Sequence, residues 1–324
     1  YSAFLKAEVD YLGTKRDDYI FHEYLEKDNF PVYFHQFAEG ARKAGLRYVA
    51  DAEVATMLTE AFSENVAKTL RTAPNILQQE QYMDFLRNRR FRRSLLCHNG
   101  QPLDRNLKGE RLKNLFVSAG AFPKGGGEAK PEADGKLTLT AGTGREVKIV
   151  YTPVLQAVLP LLWEAWPRAL PFSKLMEAAK KALPKAAQGP GAIETQFGAA
   201  LFRLYFGKVV GLTAFSPPAV SKAGAKPKAT DLVRHQAKTM GAVTNLWHNQ
   251  IRLGQVEAKL VEMLDGKTEK PAIVKALQKI VKATREAAIA KGQRVPPEPP
   301  SQDRLEQEVE KSLERLAHAA LLIA

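Results

Sequence analysis

Cysteine and long apolar runs are the scarcest features of this sequence of 324 residues. Its one cysteine, Cys97, excludes an intramolecular disulfide framework. A single free thiol is typical of a reducing compartment, so we expect a cytoplasmic protein. The longest apolar run, residues 154–163, is about half of the roughly 20 residues that a membrane-spanning helix needs. We therefore expect no membrane span.

Nucleotide-binding and metal-binding motifs are also missing. Neither G-x-G-x-x-G nor G-x-x-x-x-G-K-[ST] occurs, and the glycines at 125–127 follow no apolar strand, so we interpret them as part of a mobile loop. One cysteine and scattered histidines give no close spacing of zinc ligands. Cys97 and His98 are neighbours whose side chains point apart in a strand or loop, without a third orienting group. The sequence predicts no catalytic, cofactor-binding or metal-binding residue in this chain.

Basic residues are abundant, with a formal net charge of +13 and a pI of about 9.6. Such a charge permits binding to nucleic acid or to acidic surfaces. The densest basic cluster is RNRRFRR at 87–93, with five arginines. Three interpretations of this cluster stay open: a solvated helix end, docking to an acidic partner domain, and contact with nucleic acid.

The docking interpretation follows from charge repulsion between neighbouring guanidinium groups. Glu80 and Asp84 precede the cluster on the same predicted helix, and Asp84 can reach Arg87 or Asn88 one turn later. These carboxylates offset only part of the charge, so we expect another domain to supply the rest. The candidate docking residues are Arg89, Arg90 and Arg93.

Hydrophobic periodicity predicts an α+β fold that is predominantly helical. A helical domain is expected over 1–98, with helices at 2–12, 35–46, 63–70 and 76–96 and a short strand at 47–51. Residues 99–146 read as a connection made of a mobile loop and a hairpin that turns at 142–144. The length fits two or three domains.

The rest of the chain divides at a linker-like run that begins after Ser216. Residues 147–215 outline a winged-helix-like domain, with helices at 153–166, 172–183 and 193–206, a Gly-Pro-Gly break and a final short strand. Its predicted core residues are Leu155, Leu159, Leu162, Trp163, Leu175, Phe197, Leu201 and Leu204. Residues 216–324 read as a C-terminal helical domain containing a stiff proline-rich spacer, RVPPEPPSQ.

An aromatic run, FHEYLEKDNFPVYFHQF at 21–37, is the strongest local signal. Pro31 forces an extended chain before it, so the run bends into the next helix. Polar-tipped rings on such a bend are often core residues whose polar atoms bond the backbone, but they can equally line the mouth of a cavity. Both interpretations stay open on the residues alone.

The same run carries a family resemblance. Together with FLKAEVDYL and QQEQYMDFLRNRRFRRSLLCH, residues 1–98 closely resemble the regulatory region of bacterial class I S-adenosylmethionine-dependent methyltransferases, including protein-lysine methyltransferases. RHQAKTMGAVTNLWHNQIRL and MLDGKT resemble the C-terminal part of the same proteins, and residues 99–150 carry little resemblance. The chain has no glycine-rich loop after a strand. It begins with Tyr1 and looks like a piece of a longer protein.

The resemblance implies the accessory part of a methyltransferase, inactive alone, whose parent protein uses S-adenosylmethionine. The implied partner is an N-terminal class I methyltransferase domain; a protein substrate and a homodimer are possible, and nucleic acid is not expected. The helix at 35–45 and the strand at 47–51 would resemble the edge of the class I sheet. Candidate substrate or interdomain contacts are His22, Glu23, Tyr24, Asn29, Tyr33, His35 and Gln36.

Two other functions remain in view. A winged-helix nucleic-acid-binding protein would place the helix at 193–206 in a groove. That helix, IETQFGAALFRLYF, has one arginine and is largely apolar, which favours a place in the core. A free-standing enzyme of another type is the third alternative, and no group of residues argues for it.

Overall fold

The computed structural model describes residues 2–142, 144–183, 192–290 and 300–324. The chain forms two compact units, Tyr1–Asn106 and Leu107–Ala324. Helices dominate both and the sheets are small, which confirms the predicted α+β, predominantly helical class. The predicted Gly-Pro-Gly break and residues 294–299 of the predicted spacer lie outside the described residues.

The first unit has five α-helices and one small sheet among its described residues. Its elements are α1 (Ser2–Leu12), α2 (Asp17–Tyr24), α3 (Phe34–Lys43), β1 (Leu46–Asp51), 3-10 turns at Val54–Met57 and Thr59–Ala61, α4 (Glu64–Arg71), α5 (Ile76–Arg87) and β2 (Ser94–His98). β1 pairs with β2 in an antiparallel sheet of two strands. The expectation that β1 would resemble the edge of a larger sheet is therefore not met within this unit.

Helix α5 ends earlier than predicted. Asn88 adopts the left-handed conformation (φ 48°, ψ 48°), which ends the helix, and residues 89–93 have no regular secondary structure before β2 begins. The prediction of one helix through residue 96 was wrong. Reversing the chain here brings Arg92 back alongside α5, where it reaches carboxylates that a continued helix would leave far behind.

The second unit contains two sets of elements with short strands; the first set has three α-helices and the second has four. The first set is β3 (Phe116–Ala119), β4 (Ala121–Pro123), β5 (Lys136–Ala141), β6 (Glu146–Val150), α6 (Pro153–Ala165), β7 (Leu170–Pro171), α7 (Phe172–Ala182), α8 (Ala192–Phe206) and β8 (Val210–Thr213), with 3-10 turns at Gly109–Asn114 and Lys124–Gly126. The second set is β9 (Lys228–Ala229), α9 (Asp231–Thr239), β10 (Ala242–Thr244), β11 (Gln250–Arg252), α10 (Gln255–Glu262), α11 (Lys270–Ala290), α12 (Gln302–His318) and β12 (Leu322–Ile323).

In both sets, the first strand pairs with the strand that ends the set. In the first, the central strand β3 pairs with β7, which follows the first helix, and with β8, which follows the third helix. In the second, β9 pairs with β12 after the fourth helix, α12, and Lys228 of β9 bridges Asp265 after the second helix, α10. The central strand β3 precedes the predicted start of the winged-helix-like domain at 147, because this strand is separated from its helices by a hairpin.

The hydrophobic core of the first set includes apolar residues of α6, α7 and α8. Seven of the eight predicted core residues are buried, whereas Trp163 is only partly buried. Helix α8 places Ile193, Phe197, Leu201 and Leu204 in this core. The apolar face of α8 is therefore occupied and cannot enter a nucleic-acid groove, which agrees with the expectation that this helix belongs to the core.

Candidate functional site

Most of the aromatic run of the first unit lies on its surface, whereas Phe34 is buried. Helix α2 buries none of its residues, and the ring of Phe30 is 80% exposed. His22 faces Glu26 at 3.4 Å, and the Asn29 amide donates to the Glu23 carbonyl at 3.2 Å. The candidates of this helix and its loop are therefore exposed or partly exposed within the unit, and their role as substrate or interdomain contacts stays a prediction.

Tyr33 and His35 are brought together at the start of α3. Their rings stack at 5.8 Å with an interplanar angle of 12°, and the edge of Tyr33 meets Phe85 at 5.7 Å. The His35 backbone N–H donates to the Gln81 side-chain oxygen at 3.1 Å. Gln36 accepts a hydrogen bond from the Tyr33 backbone N–H at 2.9 Å, so Gln36 caps the helix. Gln81, Phe85 and their helix α5 were not predicted to belong to this group.

The arginine cluster neutralises carboxylates of its own unit. Arg92 bonds Asp84 through Nε at 2.7 Å and Glu80 through Nη2 at 2.8 Å, and its guanidinium lies 3.9 Å from the centre of the Phe34 ring. Arg89 bonds the fully buried Asp51 at 2.8 Å. The expectation that another domain must supply the missing carboxylates was wrong, because the chain reversal after α5 brings carboxylates from distant positions to the cluster.

Burial shapes the protonation of this network. Burial raises the pKa of Glu80, and the hydrogen bond from Arg92 opposes that rise. For Arg92, burial alone would lower the pKa, but its bonds to Asp84 and Glu80 outweigh burial and raise it. Glu80 Oε1 is buried without a hydrogen-bond partner. Such a network stabilises the fold only while every charged member keeps its partner.

The three docking candidates differ in availability. Arg89 has a side chain that is only 15% exposed and engaged by Asp51, so it serves the internal network and is a poor docking residue. Arg90 pairs with Glu8 and Arg93 with Glu53, and both keep substantial exposure. Docking through Arg90 and Arg93 stays a prediction.

The second unit contains a large cavity that sequence patterns did not predict. Its volume is about 1120 Å³, and all three tryptophans of the chain line it. We call it the tryptophan cleft, and its aromatic lining consists of Phe122, Trp163, Trp166, Tyr205, Trp247 and His318. The only available sequence signal was the rarity of tryptophan.

Secondary structure and indole hydrogen bonds hold the three rings in place. Trp163 lies in α6 and donates to the Ala121 carbonyl at 2.9 Å; Trp166 ends that helix and donates to the His318 carbonyl at 2.8 Å. Trp247 lies between β10 and β11 and donates to the Pro167 carbonyl at 3.0 Å. Trp166 and Trp247 are nearly parallel, at 8° and 5.9 Å. Because the polar indole atoms are engaged, the ring faces remain for contacts.

Small residues form another part of the lining. Strand β3 continues into β4 at Gly120, where an added Cβ would lie 2.8 Å from the Lys208 carbonyl oxygen, so only glycine permits this close approach. The glycines at 125–127, predicted to form a mobile loop, belong to a 3-10 turn and the cavity wall. Among the described residues that line the cleft, none is Asp or Glu, and the charged or titratable ones are Tyr205, Lys208 and His318.

His318 should make the stability of this region depend on pH. Its ring packs 5.3 Å from Phe122 and 6.2 Å from Trp166, and this desolvation lowers the pKa of His318. The unfolded chain then binds more protons than the folded chain, so the free energy of unfolding falls as pH drops below about 6.5 and levels off below the folded pKa. Urea unfolding followed by tryptophan fluorescence between pH 7.5 and 5 measures this loss.

His318→Asn is the matched variant for this prediction. It removes the titrating group at the same position, so its stability should change less between pH 7.5 and 5 than that of the wild type. Identical pH profiles for the two proteins would contradict the assignment.

Membrane and metal features are absent from the part of the chain that the structure covers. Among those residues, no helix has both the length and the apolar character needed to cross a membrane. The same residues contain no group of three or more His, Cys, Asp or Glu side chains arranged to hold a metal ion.

Two family models match the chain. The model described as a predicted methyltransferase regulatory domain matches residues 16–98, within the first unit. The model of the PKMT C-terminal winged helix domain matches residues 225–321, which covers most of the second set of elements. The sequence had assigned this last stretch only to a helical domain, so the position of this winged helix was missed.

Curated relatives extend over the whole chain. Uncharacterized protein RP789 of Rickettsia prowazekii (strain Madrid E) is 29% identical over 336 residues, covering all of this chain and 59% of the relative. Uncharacterized protein RP027 of the same organism is 26% identical and covers 57% of this chain and 77% of the relative. The chain thus spans about three fifths of the length of RP789.

Solved structures are also similar to this chain over its whole length. PKMT2 from Rickettsia typhi superposes with a TM-score of 0.78 at 25% identity, covering all of this chain and 65% of PKMT2. PKMT2 in complex with AdoHcy gives a TM-score of 0.76 and covers 64% of that protein. The chain therefore carries a methyltransferase regulatory domain and a PKMT C-terminal winged helix domain.

Proposed function

We propose that this chain is the regulatory and substrate-handling portion of an S-adenosylmethionine-dependent methyltransferase that modifies protein lysines. The observation that supports the proposal most directly is the pair of domain matches, together with similarity to PKMT2, which has been solved with AdoHcy. The chain covers only part of that protein. In this proposal, S-adenosylmethionine binds to an N-terminal class I domain, and this chain is inactive alone.

The exposed surface of the first unit supports a partner domain. Tyr33 at the start of α3 and Phe85 in α5 are more than half exposed although their rings touch, and Tyr82 and Leu86 of α5 are also exposed. Val66, Leu70 and Pro74 join α5 in lining a groove of about 640 Å³ between α4 and α5. Contiguous apolar surface of this kind usually marks an interaction site. We assign it to contact with the cofactor domain.

The proposal is tested by combining this chain with a separately produced N-terminal class I domain. Calorimetry should show no micromolar binding of S-adenosylmethionine to this chain alone. Methyl transfer to protein lysines should appear when the two parts are mixed, and a gel-shift with random duplex DNA at moderate salt should show no complex. Micromolar cofactor binding by this chain, or a DNA complex without any methyl transfer, would contradict the proposal.

Phe85→Glu tests the interface itself. It places a charge on the exposed patch without touching the buried network, and we expect at least a tenfold loss of affinity between the two parts. Val256→Glu is the matched control, because Val256 is equally exposed on α10 of the second unit. Equal affinities for the Phe85→Glu variant and the control would exclude this surface as the interface.

A further inference from the structure

We propose that the tryptophan cleft binds an extended peptide of a protein partner, anchored by an aromatic side chain. Ligand sites in proteins are concave, largely apolar and equipped with a few fixed polar groups, and the cleft has these properties. Its volume of about 1120 Å³ exceeds what a single side chain needs and suits several residues of a peptide.

The tryptophans supply the anchor. Each indole N–H is engaged by a backbone carbonyl at 2.8–3.0 Å, so the rings are held before a ligand arrives. Rigid tryptophans that need not be ordered on binding contribute strongly to affinity, because little conformational entropy is lost. Trp166 and Trp247 stack on each other and both line the cleft, so the ring sides that face away from the stack provide apolar surface for an aromatic side chain.

The strands of the cleft supply main-chain hydrogen-bonding groups. Within the described residues, β8 is the end strand of the β7-β3-β8 sheet and lines the cleft, whereas the Ala121 N–H and carbonyl of β4 are already engaged by the Val209 carbonyl and the Trp163 indole. An end strand keeps one edge free to pair with an extended peptide. The nearby glycines leave room for a peptide backbone to approach, since they carry no side chains.

The charges of the lining residues favour an uncharged peptide over single-stranded nucleic acid and over a lysine side chain. Single-stranded nucleic acid needs a groove with several basic residues along its backbone, whereas Lys208 is the one lysine or arginine among the described lining residues. A lysine ammonium would find no carboxylate among the described lining residues, so only cation–π contact with the tryptophan faces would offset its lost hydration. An uncharged aromatic peptide segment avoids both costs.

The test uses tryptophan fluorescence, because all three tryptophans of the chain line the cleft and report on it directly. Two pools of tryptophan-free dodecapeptides are titrated into this chain alone; their central residue is tyrosine in one pool and alanine in the other, and the flanking residues are uncharged. The tyrosine pool should give a saturable change in emission, with at least tenfold weaker binding for the alanine pool. Oligo(dT) of 12 nucleotides is the nucleic-acid probe.

Two variants of the cleft and one control accompany the titration. Trp247→Ala should weaken binding of the tyrosine pool at least tenfold. Gly127→Leu occludes the cleft instead; Gly127 has ordinary extended backbone, and an added Cβ there meets no atom within 4 Å, so folding should be unaffected. It should also weaken binding at least tenfold. Phe215→Ala, an exposed position outside the lining, should bind within twofold of wild type.

Several results would overturn the proposal: no saturable change with the tyrosine pool up to about 1 mM, equal binding of both pools, wild-type binding by Gly127→Leu, or a response to the oligonucleotide alone. If Trp247→Ala fails to fold by circular dichroism, Gly127→Leu decides the question. The measurement requires neither cofactor nor methyl transfer, so its failure is distinguishable from failure of the proposed function.

Discussion

Replacing Arg92 with leucine is expected to destabilise the first unit by about 3–5 kcal/mol, because it removes one partner of a buried ion-pair network. Arg92 is 11% exposed and bonds Asp84 and Glu80, of which Glu80 is 1% exposed. Without the guanidinium, these two carboxylates would face each other in a poorly hydrated site. Urea unfolding monitored by circular dichroism measures the loss.

The pH dependence of the Arg92→Leu variant provides a second signature. Burial already raises the pKa of Glu80, and loss of Arg92 removes the group that opposes this rise. A carboxylate with a raised folded pKa binds more protons in the folded than in the unfolded chain, so the variant should regain stability as pH falls through that pKa. Arg92→Leu combined with Glu80→Gln should recover part of the loss at pH 7.

The control is Arg71→Ala, which breaks the exposed pair between Arg71 and Glu60. Exposed pairs contribute only about 0–1 kcal/mol, so this variant should be close to wild type. If Arg92→Leu cost no more than Arg71→Ala, the buried network would not stabilise the unit.

Gly198→Ala is expected to destabilise the second unit at or above the upper end of the range of about 1–3 kcal/mol that is typical of overpacking. Gly198 lies in α8 where the helix crosses Gly109, and both glycines are buried. A Cβ on Gly198 would overlap the Gly109 Cα and lie 3.1 Å from its carbonyl carbon. Since the obstacle is backbone, the two elements must separate.

Gly40→Ala in α3 is the matched control for this substitution. Gly40 is exposed in mid-helix and an added Cβ meets nothing within 4 Å. Alanine there reduces the entropy of the unfolded chain and should stabilise the protein by about 0.4–1 kcal/mol. Thermal unfolding should therefore move in opposite directions for the two variants. A Gly198→Ala variant as stable as wild type would show that the α8 crossing tolerates separation.

Local patterns were sufficient for most individual elements. Helices α6, α7 and α8 begin and end within about one residue of their predicted bounds, and the predicted hairpin is the pair β5 and β6. Periodic apolar positions such as Phe197 and Leu201 point to one side of a helix whatever it packs on, which is why their burial was predictable. The family resemblance of residues 1–98 was also readable in the sequence, and the regulatory-domain model matches residues 16–98.

Long-range pairing decided the rest. RNRRFRR looks helical by local propensity, but the left-handed turn at Asn88 and the pairing of β2 with β1 place Arg89 and Arg92 beside Asp51, Glu80 and Asp84. Local sequence patterns cannot predict these stabilising ion pairs, because the carboxylates that bond Arg89 and Arg92 are up to 38 residues away in the sequence.

The tryptophan cleft also depends on contacts between residues that are distant in the sequence. Trp166 and Trp247 are 81 residues apart in the sequence, and each belongs to a short segment whose local pattern predicts only a helix end or a loop. Amino-acid periodicity determined the helices, the hairpin and the apolar faces, since these depend on neighbours along the chain. The arginine network and the cleft were decided only by tertiary structure, because backbone reversals and indole-to-carbonyl hydrogen bonds bring distant residues into contact.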